Sequence, residues 1–112
     1  MIIPNSENAV VDLRKLRDYA LNPEHRVGQH KARLFSSLLQ LHLEDAEALR
    51  EILLNVVLNQ EAEIGRLDEF GQRYRIDFLL EWQGNEAMIR TAWHVRLDED
   101  FPRLVTCYPL EE

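Results

Sequence analysis

The stretch RYRIDFLLEW, residues 73–82, decides the fold. Tyr74, Ile76, Phe78, Leu80 and Trp82 alternate there with Arg73, Arg75, Asp77 and Glu81. Successive side chains on a strand point to opposite faces, so this pattern is a strand with one buried face and one wet face. QGN at 83–85 is a tight-turn signal. EAMIRTAWHVRL, 86–97, alternates again, with Ala87, Ile89, Thr91, Trp93 and Val95 set against Met88, Arg90, Ala92, His94 and Arg96. LDEDFP reads as a loop, and RLVTCYPL, 103–110, as a last strand with Leu104, Thr106, Tyr108 and Leu110 on one side. Pro109 has no N–H to donate, which puts that strand at an edge or near its end.

Upstream the period changes to that of helices. A first helix is expected from about Leu13 to Leu21, with Asp12 as N-cap and Leu13, Leu16 and Ala20 on one face. Pro23 stops it, because the residue before a proline is pushed out of the α region. A second helix runs from about Gln29 to Leu41, and Leu34, Phe35, Leu38 and Leu41 recur on its buried side. Lys31 lies in line with Phe35 and Leu38, so its stem packs while its ammonium reaches out. A third helix, Glu44 to about Asn59, has three acids among its first four residues, which suits the positive helix N-terminus. Its LREILLNVVL is apolar almost all round and implies burial on more than one side. The expected architecture is α+β: two to three N-terminal helices packed on one face of a three- to four-stranded antiparallel sheet, in a single domain over 1–112.

The other sheet face would carry Arg73, Arg75, Arg90, His94, Arg96 and Arg103. Two readings stand for it. One is a binding surface. The other is a solvated face salt-bridged to Asp77, Glu81 and Glu86.

Composition narrows the function classes. The 112 residues are 46% hydrophobic and 29% charged, as in an ordinary globular protein. No apolar run approaches the roughly 18 residues of a membrane helix. The start, MIIPNSENAVVDL, lacks the basic and apolar regions of a signal peptide. A single cysteine, Cys107, excludes an intramolecular disulfide. A cytoplasmic location is the resulting expectation. The net charge of −7 argues against nucleic-acid binding by the whole surface. The charge is uneven, at 7 Lys/Arg to 8 Asp/Glu in residues 1–60 and 6 to 12 in 61–112. Six basic residues, with His25 and His30, crowd 14–33 against two acids. They form either a local basic patch or solvated helix faces.

The sequence holds no Walker A loop, dinucleotide fingerprint, HExxH or cysteine pair. Neither a metal nor a cofactor is expected, since His25 and His30 are a weak ligand pattern. Cys107 is expected to be buried and inert. The remaining constellation is His30, Lys31 and Arg33 at a helix start, with Thr106 and Tyr108 on the last strand. A helix start offers N–H groups to an anion. A histidine moves protons near neutrality. Lysine and arginine stabilise charge growing on phosphate oxygens. Attack of a ribose 2′-hydroxyl on the adjacent phosphate needs those parts and no metal. Against this, Thr106 and Tyr108 are also ordinary strand residues.

Nearly the whole chain resembles a small bacterial domain-of-unknown-function family. The resemblance rests on IPNSENAVVDLRKLRDYALNPEH, GQHKARLF, GQRYRIDF, and TAW followed by FPRLVTCYPL. The layout, with G-x-H-K opening a helix and T-x-Y in the final strand, is similar to the barnase/EndoU/colicin/RelE-like toxin nucleases. That likeness implies a metal-independent RNase of a two-gene toxin–antitoxin-type module. It places a catalytic or RNA-contacting role on His30, with Lys31, Arg33, Thr106 and Tyr108 as helpers, and leaves the role of His94, after TAW, open. The expected partners are RNA or a small cognate protein, and no membrane. The alternative is a non-catalytic acidic interaction module, immunity- or antitoxin-like, which suits the acidic second half. The apolar third helix and the strand aromatics also predict a homodimer.

Overall fold

The computed structural model describes residues 1–111. The chain runs through three helical segments into a four-stranded antiparallel sheet of order β1-β2-β3-β4. The helices are α1 (Leu13–Lys15), α2 (Gln29–Leu39) and α3 (Ala46–Asn59). The strands are β1 (Glu63–Asp68), β2 (Gly71–Trp82), β3 (Asn85–Arg96) and β4 (Arg103–Pro109). The α+β expectation is therefore met, with the helices ahead of the sheet.

The β2–β3 hairpin pairs without interruption from Gly71↔Arg96 to Trp82↔Asn85. Ile76, Ile89 and Trp93 are buried in the core with Phe35, Leu39, Leu49 and Leu53 from the helices. Thr91 is the buried polar residue of this face. Its hydroxyl donates to Ile76 O at 2.8 Å and accepts from Trp93 Nε1 at 2.8 Å, so both polar side chains are satisfied inside.

Four sequence expectations change in the structure. The sheet has a strand, β1, that alternation did not announce: Ile64 and Leu67 are exposed, so EIGRLD has no apolar face to read. In β4 the register slips between Ala92 and Trp93, so that Thr106 pairs Ala92 while Leu104 pairs Trp93. The extra residue is Val105, and a bulge of this kind reverses the side-chain parity along a strand. Leu104 and Cys107 therefore face the core, while Thr106 and Tyr108 pair Ala92 and Arg90 of the other face. The first helix is not one α-helix. After Lys15 it widens into a π turn, Leu16–Ala20, closed by Leu21 N–H donating to Leu16 O at 2.8 Å. In α2 the fully buried residues are Ala32, Phe35 and Leu39, while Leu38 is exposed. Gln40 then takes a left-handed conformation, φ 53°, which ends the helix and returns Leu41 to the core.

Asp12 caps α1 as expected, its carboxylate accepting from Arg14 N–H at 3.0 Å. Leu53, Val56 and Val57 of α3 are buried, and of its large apolar residues Leu58 is exposed. The most exposed large apolar residues are Ile64 and Leu67 on β1, with Phe70 and Leu97 in the adjoining loops. Among the described residues no helix is long and apolar enough to cross a membrane.

Candidate functional site

The π turn carries Tyr19 to the place where α2 begins. The loop between them, residues 21–28, closes on His25. Its Nδ1 accepts from the backbone N–H groups of Val27 at 3.0 Å and Gly28 at 2.9 Å. An acceptor at Nδ1 puts the ring proton on Nε2, so the neutral ring offers outward an N–H rather than a lone pair. The ring also meets Tyr19 edge-on, centroids 4.8 Å apart. Gly28 lies flat on the Tyr19 backbone. A Cβ there would come within 2.2 Å of Tyr19 O, so only glycine fits.

Lys31 extends from α2 into this corner. Its Nζ donates to the Tyr19 hydroxyl at 2.9 Å and lies 5.7 Å from the centre of the Tyr108 ring. It has no carboxylate partner among the described residues. The surrounding groove has a volume of about 620 Å³ and is walled by Asp12, Arg14, Lys15 and Asp18 as well as Tyr19, His25, Lys31 and Thr106. The Thr106 hydroxyl is shielded from bulk solvent and has no hydrogen-bond partner. Arg14 holds Asp12 through two further bonds, at 3.2 and 2.9 Å, and pulls the Asp12 carboxyl down to about 2. Burial pushes the Cys107 thiol up to about 12, and the Lys31 charge opposes that shift. Such a thiol carries almost no thiolate and is not a nucleophile.

The five residues singled out in the sequence do not all meet. Lys31 and Thr106 line the same groove, and Tyr108 flanks Lys31. His30 is exposed beside them on α2 and does not line that groove. Arg33 lines a different cavity, of about 600 Å³, with Leu21, Pro23, Ser36 and His42. The sequence reading missed Tyr19 and His25. The available signal was local: a histidine three residues before a glycine, in a loop ahead of a helix, is placed to cap that loop. The first N–H of α2 is already taken, since Gln29 N–H donates to His25 O at 3.0 Å.

One group of ligand-type atoms, from His42, Glu44 and Asp45, lies within 4.8 Å. Two of its members have another task. The His42 ring accepts from the Asp45 backbone, and Asp45 Oδ2 accepts from His42 N–H at 2.9 Å, as a reciprocal cap before α3.

The arginines of the open sheet face are mostly held. Arg90 makes two 3.0 Å bonds to Asp77, and Arg103 makes two 2.7 Å bonds to Glu99. Arg75 pairs with Glu63, and Arg96 approaches Glu99 at 3.9 Å. Of the acids expected to hold this face, Asp77 does so. Glu81 and Glu86 instead stand opposite each other at the hairpin end. Arg73 and His94, also cross-strand neighbours, are left with Nε and Nε2 shielded and unpartnered.

The DUF6883 domain of unknown function matches residues 2–111 of this chain. The chain belongs to the DUF6883 family. Its fold is shared with a chain of the contact-dependent growth inhibition toxin–immunity protein complex from Klebsiella pneumoniae 342. The two align over 96% of this chain and 98% of that one, with a TM-score of 0.66 and 17% identity. Among curated proteins no relative matches the DUF6883 chain.

Proposed function

We propose that this DUF6883 domain is a metal-independent RNase-like toxin domain that acts on RNA in the cytoplasm and is held in check by a small cognate protein. The observation that carries the reading is Lys31: a cation in a groove, between two tyrosines, with no carboxylate to neutralise it. A phosphate would supply the missing charge. Thr106 lines the same groove, and its shielded hydroxyl has no partner in the protein. The shared fold with a chain of a toxin–immunity complex supports a small protein partner.

In this reading Lys31 and Thr106 hold the scissile phosphate, with Tyr108 beside them, while Arg33, on another side of α2, contacts the RNA outside the groove. His30, exposed next to Lys31 on α2 and outside the groove, moves the proton where the RNA passes over it, since the His25 lone pair is committed to its loop. The ribose 2′-oxygen bonds to phosphorus as its proton passes to His30. The bond to the 5′-oxygen breaks, and that oxygen takes the proton back. The products are a 2′,3′-cyclic phosphate and a 5′-hydroxyl, and chelators leave the rate unchanged.

The test is induction of wild type and His30→Ala in a bacterial host, with total RNA probed for fragments. Growth arrest with RNA fragments in the wild type alone supports the reading. Healthy growth with intact RNA in both favours the second reading, an acidic immunity-like module. That alternative draws on the net −6 of residues 61–112. The proposed homodimer would pair through Ile64, Leu67 and Phe70 at the β1 edge. A monomeric mass in light scattering counts against it.

A further inference from the structure

The Lys31 groove does not end at Thr106. A second, smaller cavity of about 140 Å³ lies further along β4, walled by His94, Arg96 and Arg103 with Asp12, Lys15 and Val105. Asp12, Lys15 and Val105 wall both cavities, so the two form one track along the edge of β4. Lys15 stands at the junction and has no ion pair among the described residues. At the far end Arg96 is exposed and only loosely tied to Glu99, at 3.9 Å.

The charge balance of the track decides what it can hold. Its acids are Asp12, already bound by Arg14, and Asp18. Its weakly held or unpaired cations are Lys31, Lys15 and Arg96, one at each end and one between. From Thr106 to Arg103 is three residues of strand, a span of roughly 10 Å. One phosphate cannot touch both ends of such a span, whereas a backbone with several phosphates can. An apolar or basic chain would leave the three cations without counter-charge, and a nucleic-acid strand carries an anion at every residue.

We infer that the track is a single-stranded nucleic-acid backbone site with two phosphate positions. Lys31 holds one phosphate, the Arg96 end holds another, and Lys15 bridges them. The inference rests on the reading of the Lys31 groove as a phosphate site and names its substrate as a strand rather than a mononucleotide. It adds Lys15 and Arg96 as binding residues outside the reacting centre. Binding at such a site is salt-dependent, with log affinity falling by about 0.7 per phosphate contacted per decade of salt.

The probe is a fluorescent ten-nucleotide all-deoxy strand, which lacks the 2′-hydroxyl and cannot be cleaved by the proposed route. Anisotropy is measured across a salt series for wild type, Lys31→Ala, Lys15→Ala, Arg96→Ala, and Arg26→Ala as a surface control. Lys15→Ala and Arg96→Ala are expected to weaken binding about 5- to 10-fold each and to lower the salt slope by about 0.7 each. Arg26→Ala leaves both unchanged. Loss with Lys31→Ala alone overturns the two-position track and leaves the RNase reading standing. No binding by wild type at low salt overturns the track outright. Binding as expected, with RNA left intact by the same protein, keeps the track and refutes the RNase reading. All three tested side chains point to solvent or to the groove, and circular dichroism of each variant checks that it is folded.

Discussion

Lys31 and Arg90 both approach Tyr108, one from α2 and one across the ladder from β3. Arg90 is clamped by Asp77 through two parallel bonds. Lys31 has only a phenol hydroxyl. The contrast extends to the regions around them. On the open sheet face, Arg75 and Arg90 each have their own carboxylate. Along the β4 edge, Lys15 and Lys31 have none. Counting cations makes the sheet face look like the binding surface. Counting unpaired cations moves the site to the edge. An arginine whose fork is filled by a carboxylate has little left for a phosphate, because the exchange must first break a charge-assisted bond.

The largest expected effect separates the two regions. Lys31→Ala should slow RNA cleavage by about 100-fold or more, the usual loss when one stabiliser of transition-state charge is removed. Lys31→Arg should recover part of it. The melting temperature should stay within a few degrees, because Lys31 closes no buried ion pair. A large loss of stability in Lys31→Ala would instead make Lys31 a structural residue.

Next is Gly28→Ala. The new Cβ would press on the Tyr19 backbone, so the 21–28 loop must move. The expected cost is about 2–3 kcal/mol, at the upper end for overpacking, read by denaturant unfolding. Groove function should fall with it. A stable, fully active Gly28→Ala protein would show that the groove does not depend on this contact.

Asp77→Ala sharpens the comparison from the other side. It should cost less than about 1 kcal/mol, since both partners are partly exposed. It also frees Arg90. A salt-sensitive gain in RNA binding is expected, measured by anisotropy at low salt. No gain would mean that pairing is not what keeps this face from binding.

The smallest effect is in acid. The Asp12 carboxyl titrates near 2 in the folded protein, against 3.8 for a free side chain. A depressed carboxyl contributes stability that is fully present above about pH 4 and lost as pH falls toward 2. Asp12→Asn should therefore flatten the melting-temperature profile between those values, lowering it slightly near neutrality and matching wild type near pH 2. A wild-type profile already flat there would contradict the Asp12–Arg14 pairing.

How much could be read in advance depended on whether a residue's environment is local. The β2–β3 hairpin was legible because Tyr74 to Trp82 alternate strictly and a turn signal follows. The three helices were legible from apolar spacing and from Asp12 and Pro23. β1 was hidden because both of its faces are wet. β4 was half legible: its existence follows from composition, but the bulge at Val105 reverses which face Thr106 and Tyr108 occupy, and no residue type announces that. In the candidate site Lys31 and Thr106 were reachable from helix start and strand. Tyr19 was not, because its placement depends on a π turn, and His25 left only the local signal of a histidine three residues before a glycine ahead of a helix. The division between held and free arginines was equally out of reach, since it depends on cross-strand register.

The most direct test is one cleavage assay on single-stranded RNA in excess EDTA, comparing wild type, Lys31→Ala and the double variant Arg75→Ala/Arg90→Ala. If the β4 edge is the site, wild type and the double variant cleave alike and Lys31→Ala is slower by about 100-fold. If the double variant loses cleavage while Lys31→Ala keeps it, or if wild type leaves RNA intact, the account is wrong.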